Sequence, residues 1–514
     1  MSARRTGERG EMTGIPSDWQ PLLADLERRR AAAAAMGGPD KLARYTAAGR
    51  PDPRLRIDML LDAGTFTEIG RLAGDPATPA DAFVAGHGTI DGRPVLVGSE
   101  DFTVAGGSIG VAAASKRTRI ATLALHERVP LVMLLEGAGH RPTNHLVPQR
   151  PAPGDLQAIA DLAGLVPTVA VVVGPSAGHG ALAAPLSDFA VMVEPEGALF
   201  SAGPPLVQAA TGEQVTKAEL GGSLVHTRVA PVAHNVAATD ADAAALVRRY
   251  LSYFGSNAWQ HAPFVDRGDI GPRELTSILD LIPADHRRGY DMLPVLGLLA
   301  DADSVLVVQP AHGRSIITAL VSIGGRSVAV VANQPRELAG AIDVAAANKA
   351  ARFIQIAGAF HLPVLFLADN PGVLAGSASE RAGILRAGAR MFAAQRRLTV
   401  PKIHVTVRKA FGFGSSVMGM NPYDRQTLNL AFPGSTLGGI PAAVGGATSK
   451  ADQQTRKALL DREAAGPWPL AGSATYDDVI DPRQLRTAIL DGLRLAADRL
   501  QGQAEPVRHT GYLP

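Results

Sequence analysis

The chain carries one sequence pattern twice, and the two copies lie 233 residues apart. Eleven pairs of identical residues keep this offset over nearly ninety positions: Ile90 and Ile323, Gly92 and Gly325, Arg93 and Arg326, Val95 and Val328, Val97 and Val330, Gly107 and Gly340, Lys116 and Lys349, Arg119 and Arg352, Pro130 and Pro363, Gly139 and Gly372, Ala177 and Ala410. Each copy is far longer than a solenoid unit. The repeat therefore predicts a duplicated domain rather than an array of small repeats.

The length of 514 residues accommodates two large domains. We predict a disordered tail over residues 1–15, an N-terminal domain over 16–265 and a C-terminal domain over 266–514. A capping-box pattern from Ser17 to Gln20 predicts that the N-terminal domain opens on a helix.

Composition excludes several classes of function. The net charge is +2, from 50 basic and 48 acidic residues, and the basic residues are scattered, so nucleic acid is not an expected partner. The chain has no cysteine, which excludes disulfides, thiolate zinc sites and cysteine nucleophiles. No signal-peptide pattern opens the sequence, and the longest apolar stretch, near Leu165–Gly174, is too short to span a bilayer. We therefore predict a cytoplasmic protein without a membrane segment.

The pattern of apolar residues predicts an α/β fold in which strands alternate with helices. Asp91-Gly92 lies between two alternating apolar runs and predicts a two-residue hairpin turn. A helix is predicted near Ile109–His126. The continuous apolar runs Val129–Leu135 and Thr168–Val173 are typical of parallel strands that are buried on both faces. The second copy repeats this order.

Each copy has two glycine-rich turns between a strand and a helix. In the first copy these turns contain Gly139 and Gly178–Gly180, and in the second they contain Gly372 and Gly412–Gly414. Glycine permits backbone conformations that are closed to other residues and lets a ligand approach the main chain. Two such turns side by side can hold one oxyanion between backbone N–H donors, so the pattern predicts two oxyanion sites.

Other motifs predict different functions on a weaker basis. Gly174-Pro-Ser176-Ala-Gly178 matches the GxSxG elbow of serine hydrolases, but no His and Asp can be placed beside Ser176 from the sequence. The segment 178–183 fits only a relaxed form of the dinucleotide-binding pattern. His140, His145 and His179 lack a regular ligand spacing, and we predict no metal site.

A further set of segments resembles one known family. They are Glu100–Ser108, Gly203–Val207, Thr211–Thr216, Glu219–Ser223, Val331–Pro335, Asn370–Gly372, Arg408–Gly412 and Val417-Met418. In this order, over roughly residues 55–450, the chain is similar to the carboxyltransferase (β) subunits of biotin-dependent acyl-CoA carboxylases. The resemblance implies tandem, duplicated ClpP/crotonase-like domains, each a ββα superhelix. It also implies a hexamer of paired subunits.

The resemblance implies an enzyme that transfers a carboxyl group from carboxybiotin to the α-carbon of an acyl-CoA. The acyl-CoA is expected at the N-terminal copy, and carboxybiotin at the C-terminal copy of a neighbouring subunit. No biotin-attachment Met-Lys-Met and no ATP-binding loop is present in the sequence, so a biotin carboxylase/biotin carboxyl carrier subunit is expected as a partner. An acyl-CoA decarboxylase on the same scaffold and a non-catalytic paralogue remain open as alternatives.

The turns then supply the predicted site residues. The N-terminal hole is assigned to Gly139, His140, Gly178, His179 and Gly180, and the C-terminal hole to Gly372, Val373, Phe413 and Gly414. Contacts to substrate are assigned to Gly107, Lys116, Arg141 and Ser416. No side-chain base is expected, because the biotin can accept the α-proton.

Three of these residues depart from the usual pattern of the family. His140 and His179 stand where small residues are common, and Ser416 stands where propionyl-type enzymes have Asp. Because backbone donors survive changes of side chain, the expectation of activity is kept, but the identity of the acyl chain is left open.

Overall fold

A computed structural model describes residues 16, 18–146 and 154–507 of the chain. The predicted tail over 1–15 and the predicted cap residue Ser17 lie outside the described residues. The strands are β1 (Thr67–Ile69), β2 (Phe83–Ile90), β3 (Arg93–Glu100), β4 (Leu131–Gly137), β5 (Thr168–Ala177), β6 (Phe189–Val193), β7 (Ala198–Phe200), β8 (Asn235–Ala237), β9 (Leu306–Val308), β10 (Ile316–Ile323), β11 (Arg326–Asn333), β12 (Val364–Asn370), β13 (Lys402–Phe411), β14 (Leu428–Ala431), β15 (Thr436–Gly438) and β16 (Asp478–Val479).

Helices cover both faces of the sheets. They are α1 (Gln20–Ala34), α2 (Pro39–Ala47), α3 (Pro53–Leu60), α4 (Val111–Glu127), α5 (Asp155–Ala160), α6 (Gly178–Ala181), α7 (Ala183–Leu186), α8 (Pro204–Thr211), α9 (Lys217–Gly221), α10 (Asp240–Ser252), α11 (Ile278–Leu281), α12 (Leu293–Leu299), α13 (Val344–Ala359), α14 (Ser377–Ala382), α15 (Ile384–Arg396), α16 (Gly412–Val417), α17 (Ala442–Thr448), α18 (Gln453–Ala464), α19 (Trp468–Ala471) and α20 (Leu485–Leu495).

The described residues form two sheets with the same strand order, and this confirms the predicted duplication. The first sheet runs β1-β2-β3-β4-β5-β6-β8, and the second runs β9-β10-β11-β12-β13-β14-β16. In each sheet one further strand, β7 or β15, lies outside this order and pairs with the C-terminal end of the fifth strand. The first three strands of each sheet are antiparallel and the others are parallel.

The hairpins and buried strands form as their sequences predict. Asp91 and Gly92 both have positive φ, at 50° and 74°, and Gly324 and Gly325 follow them at 61° and 75°. Two successive residues with positive φ define the turn type that matches the twist of a hairpin. All seven residues of β4 and all seven of β12 are buried, as expected for parallel strands covered on both faces.

The offset between the copies changes by one residue in the last buried strand. Gly137 pairs with Ser176 in the first sheet, and its counterpart Asn370 pairs with Ala410 in the second. The residue that corresponds to Ala410 is therefore Ser176, and the sequence pairing of Ala177 with Ala410 was wrong. The slip arises in the segment between the paired strands, where the short helix α5 of the first copy is replaced by α14 and α15.

The two sheets pack against each other through non-equivalent faces. One apolar cluster contains Val97 and Leu134 of the first sheet, together with Phe366 of the second and much of α13. The counterparts Val330 and Leu367 belong instead to a separate cluster on the other face of the second sheet. The copies are therefore stacked head to tail, and one apolar cluster lies between them.

Equivalent residues consequently have different environments in the two copies. Arg352 of α13 lies between the sheets and donates a hydrogen bond of 2.7 Å to the carbonyl oxygen of Ser187. Its counterpart in α4, Arg119, is exposed. The backbone N–H of Val265 donates to the carbonyl oxygen of Gly325, so the chain already contacts the second copy just before the proposed boundary at 265/266.

Candidate active site

The first glycine turn of each copy has the same backbone geometry. In the first copy Ile109 donates to the carbonyl oxygen of Gly139 at 2.7 Å and accepts from the N–H of Arg141 at 3.1 Å. This bridge uses the residues on either side of His140, so the backbone N–H of His140 points away from Ile109.

The second copy repeats the bridge 233 residues later. Ile342 donates to the carbonyl oxygen of Gly372 at 3.1 Å and accepts from the N–H of Leu374 at 2.8 Å. The backbone N–H of Val373 is thus directed like that of His140. Gly139 and Gly372 have φ values of 78° and 123°, which a residue with a Cβ rarely adopts.

The second glycine turn joins β5 to α6 and β13 to α16. Gly178 and Gly412 open these helices with the same φ of 55°. The first N–H groups of a helix have no partner within it, so they remain available to a ligand. A Cβ built on Gly139 would lie 2.7 Å from the carbonyl oxygen of Ala177, and one on Gly414 would lie 2.7 Å from the Cα of Gly372. In each copy the two turns are therefore in direct contact.

Charged side chains support the turns of the first copy. Nε2 of His179 lies 2.5 Å from Oδ1 of Asp155, and the other oxygen of Asp155 accepts from Nε of Arg117 at 2.6 Å. Arg117 donates from Nη1 to Oε1 of Glu100 at 2.8 Å, and Oε2 of Glu100 accepts the backbone N–H of Glu136 at 2.6 Å. A chain of four side chains thus joins the α6 turn to the end of β4.

Burial sets the electrostatics of this chain. It raises the pKa of the Asp155 carboxyl, but the hydrogen bond to His179 and the charge of Arg117 outweigh it and hold the pKa at about 2. Burial also raises the pKa of the Glu100 carboxyl, to about 7, against the opposing effect of Arg117. His179 is the member that reaches the surface, with 34% of its side chain exposed.

Neutral side chains support the equivalent turns of the second copy. Oδ1 of Asn333, the counterpart of Glu100, accepts the backbone N–H of Asp369 and Nδ2 of Asn370, both at 3.0 Å. Oδ1 of Asn370 in turn accepts the N–H of Gly372 at 3.0 Å. Phe413 takes the place of His179, and its ring packs against Phe392 with 5.8 Å between the centroids.

The predicted substrate contacts have different positions in the structure. Arg141 donates to Oδ1 of Asp81 at 2.6 Å and to Ser108, close to the first turn. Ser416 is half-buried, and its hydroxyl donates to Oδ1 of Asn421 at 3.0 Å. Gly107 brings its segment against the end of β4, since its Cβ would lie 2.3 Å from the carbonyl oxygen of Glu136.

Lys116, which the sequence assigns to substrate contacts, lies in the interior and binds backbone carbonyl groups. The side chain is buried and its Nζ donates to the carbonyl oxygens of Ala80 and Phe83. Its counterpart Lys349 binds backbone carbonyl oxygens in the same way, including that of Ile316 at 2.6 Å. This repeated lysine holds the start of the first hairpin strand, β2 or β10, and we leave it out of the proposed site.

The GxSxG motif does not have the geometry of a nucleophile elbow. Ser176 lies inside β5, fully buried, and pairs with Gly137, so it is not exposed at a turn as a nucleophile elbow requires. Nε2 of His140 lies 3.3 Å from the amide nitrogen of Asn144. Within residues 18–146 and 154–507 no cluster of metal-ligating side chains is found. None of the helices described there is long and apolar enough to cross a membrane.

Comparison with known proteins identifies the family. The sequence profile of the carboxyl transferase domain matches residues 44–510. The chain belongs to this family. It is 33% identical to the methylmalonyl-CoA decarboxylase subunit alpha of Veillonella parvula, over 96% of this chain and 99% of that protein. It is 32% identical to the methylmalonyl-CoA carboxyltransferase 12S subunit of Propionibacterium freudenreichii subsp. shermanii, over 97% and 98% of the two chains.

The solved structures agree with this assignment. The transcarboxylase 12S crystal structure, a hexamer assembly with hydrolysed methylmalonyl-CoA bound, matches with a TM-score of 0.87 and 31% identity. The match covers 98% of this chain and 100% of that one. The predicted crotonase-like fold, the relation to the carboxyltransferase subunits of biotin-dependent acyl-CoA carboxylases and the enzyme class are thereby confirmed.

Proposed function

We propose that this protein transfers a carboxyl group between carboxybiotin on a partner subunit and the α-carbon of an acyl-CoA, and that its glycine turns are the two oxyanion holes. The observation that carries the site assignment is the repeated pair of touching turns, whose N–H groups point the same way in both copies. Carboxyl transfer needs two such sites, because a negative charge develops first on a ureido oxygen and then on a thioester oxygen.

The first copy is assigned to the acyl-CoA. The backbone N–H groups of His140 and His179 would hold the thioester oxygen as it becomes an enolate oxygen. Arg141 fixes the first turn by binding Asp81 and Ser108. The buried Glu100 fixes the end of β4 through the N–H of Glu136. These contacts preorganise the donors before substrate arrives.

The second copy is assigned to biotin. Bound biotin supplies a carboxylated ureido nitrogen from which the carboxyl group is released. The amides of Asn333 and Asn370 and the ring of Phe413 make this turn neutral and partly apolar, which fits an uncharged bicyclic urea. The N–H groups of Val373 and Phe413 would hold the ureido oxygen.

The alternative is net decarboxylation of a carboxyacyl-CoA on the same two holes. The similarity to the decarboxylase subunit of Veillonella parvula over nearly the whole chain favours this candidate. In both candidates the residues of this chain have the same roles, and only the direction of net carboxyl transfer differs.

We propose a cytoplasmic hexamer that works with a separate biotin-carrying subunit. The 12S structure, which covers almost all of this chain, is described as a hexamer, and this similarity supports the assembly. A complete site needs an N-terminal copy and a C-terminal copy that face each other from different subunits. Fully active monomers in light scattering would contradict the proposal.

The test is reconstitution with the biotinylated subunit that co-purifies from the native source. Labelled carboxyl transfer is measured with acetyl-, propionyl-, butyryl- and methylmalonyl-CoA, in both directions. ATP-driven carboxylation of one acyl-CoA is the expected result. Carbon dioxide release from methylmalonyl-CoA without net carboxylation supports the decarboxylase instead. Acyl-CoA binding without turnover in either direction would identify a non-catalytic paralogue.

A further inference from the structure

One ionisable pair at the candidate acyl-CoA turn is not used by a mechanism that relies on backbone donors alone. His179 supplies a backbone N–H to the proposed hole, and its imidazole is held by Asp155 at 2.5 Å. Covalent geometry keeps Nδ1 within about 3–4 Å of the backbone nitrogen of the same residue. The ring therefore lies within a few ångström of the backbone N–H that is proposed to hold the thioester oxygen.

The hydrogen bond to Asp155 fixes which ring nitrogen is basic. The Asp155 carboxylate accepts from Arg117 and is ionised at neutral pH, since its pKa lies at about 2. An ionised carboxylate can only accept, so Nε2 of His179 carries the proton and donates it. Nδ1 is the other ring nitrogen, and among the described residues it makes no hydrogen bond. One-third of the His179 side chain is open to solvent.

The arrangement has the parts of a general base. A carboxylate orients the imidazole and stabilises the imidazolium that forms when Nδ1 takes a proton. Asp155 is itself held in place by Arg117, and Arg117 by Glu100, all of them buried. The corresponding turn of the second copy has Phe413 against Gly388 and Phe392, and no ionisable group takes this place. The pair is thus specific to the copy assigned to acyl-CoA.

We propose that His179 is the catalytic base that removes the α-proton of the acyl-CoA, which gives this chain a biotin-independent activity: exchange of that proton with solvent. The α C–H bond breaks and its proton goes to Nδ1. Its electron pair forms the enolate, whose oxygen is held by the turn N–H groups. Return of a deuteron from D₂O through Nδ1 gives the α-deuterated thioester, and no other reactant is consumed. The inference rests on the proposed function, because it takes acyl-CoA to bind at the first copy.

The test follows α-deuteration of propionyl-CoA in D₂O by mass spectrometry, with the assembled protein and without biotin or ATP. His179→Gln is the main variant, because the glutamine amide can still donate to Asp155 but has no basic nitrogen. His126→Gln is the matched control, since His126 is an exposed histidine at the end of α4. General bases typically contribute on the order of 10²–10⁴ in rate. We expect exchange to fall about 100-fold or more in His179→Gln, with unchanged propionyl-CoA affinity and melting temperature, and to stay at the wild-type rate in the control.

The outcomes separate this inference from the proposed function. Wild-type exchange rates in His179→Gln would overturn the role of the imidazole. A wild-type protein that carboxylates propionyl-CoA with its biotinylated partner but never exchanges the α-proton alone would also overturn it, while the proposed function stands. A folded wild-type protein that neither exchanges nor carboxylates any acyl-CoA of the panel would overturn both. If His179→Gln also loses affinity or melts earlier, rescue of exchange by added imidazole decides: rescue supports the base, and its absence opposes it.

Discussion

The two copies have nearly the same backbone at their paired turns, but opposite kinds of side-chain support. The first copy holds its turns with His179, Asp155, Arg117 and Glu100, and the second uses amides and aromatic rings around Asn370. Backbone N–H groups do the proposed chemistry in both. The difference shows that the same backbone turn can be held by different side chains, so one copy can carry ionisable groups that the other lacks.

The two copies also differ in the partners of a buried acid that both of them have. Glu136 of β4 and its counterpart Asp369 of β12 each bind an arginine at 2.7 Å. The arginines come from different elements, Arg56 from α3 and Arg408 from β13. The position of the acid was retained after duplication, while the source of its partner was not. What the fold needs at this place is charge compensation, since an uncompensated buried charge is strongly destabilising.

The largest effect is expected where the turns touch most closely. A Cβ on Gly414 would lie 2.1 Å from Oδ1 of Asn370, and one on its counterpart Gly180 would lie 2.8 Å from Oε1 of Glu100. Gly414→Ala should reduce carboxyl transfer by about 10²–10³-fold, the usual cost of losing an oxyanion donor, and Gly180→Ala somewhat less. Steady-state kinetics and thermal melts check this, with Gly434→Ala as a control because its Cβ meets no atom within 4 Å. Equal activity of Gly414→Ala and Gly434→Ala would show that close contact between the turns is not needed for carboxyl transfer.

A buried histidine in each copy should make stability depend on pH in the same direction. Burial lowers the pKa of His234 to about 3 and that of His404 to about 4. Between the unfolded value of about 6.5 and these values only the unfolded chain binds the proton, so stability is full above pH 6.5 and falls as the pH drops. Between pH 7 and pH 5 each histidine should lower the free energy of unfolding by about 2 kcal/mol.

Urea unfolding at several pH values measures this dependence. His234→Gln and His404→Gln should each remove part of the slope between pH 7 and 5, whatever their effect on stability at pH 7. A slope that changes in only one of the two variants would assign acid sensitivity to one copy and sharpen the contrast between them.

Exchanging the residues at one position tests the two kinds of support directly. His179→Phe leaves Oδ1 of Asp155 without its donor, and such a loss costs about 1–3 kcal/mol. Phe413→His removes the contact with Phe392 at a position that is 40% exposed, so we expect a smaller loss. Chemical denaturation of both variants gives the two values, and a larger loss for Phe413→His would show that packing dominates at both turns.

The smallest effect concerns the acyl chain. Ser416→Asp introduces a carboxylate beside Asn421 at the second copy, and we expect a few-fold shift in kcat/KM between acetyl- and propionyl-CoA. The corresponding Leu182 of the first copy is exposed, and Leu182→Asp serves as the matched variant. Identical selectivity profiles for both variants and the wild type would show that neither position borders the acyl pocket.

The sequence predicted what depends on local pattern. Asp91-Gly92 fixes a hairpin turn, and the uninterrupted apolar run of β4 requires burial on both faces, so both were predicted correctly. The equivalence of Ser176 and Ala410 was not predicted from the sequence. The identical pair Ala177 and Ala410 fits the constant offset of 233 and so conceals the one residue that is inserted in the second copy. The burial of Lys116 was not predicted, because lysine normally lies at the surface. Its partners are backbone carbonyl groups, which no sequence pattern marks.

The support of the first copy could not be predicted for a different reason. Arg117, Asp155 and His179 come from three helices, and their contacts depend on how these helices are placed around β4 and β5. Arg117 follows Lys116, which is part of the sequence repeat. Neighbouring residues on a helix point in different directions, so the position of one side chain does not predict that of the other. Only the three-dimensional arrangement brings His179 and Asp155 together as the proposed base.

The head-to-tail packing of the copies bears on whether further units can be added to the stack. Packing between unlike surfaces has no built-in end, so a stack of this type can in principle add further units and become a filament. Phe360 at the end of α13 packs edge-on against Phe254 of the first copy. At the same place on α4 the chain has Glu127, which is exposed. The surface of α4 thus has a charge where the equivalent surface of α13 has an aromatic anchor, so the two copies cannot exchange places in the stack.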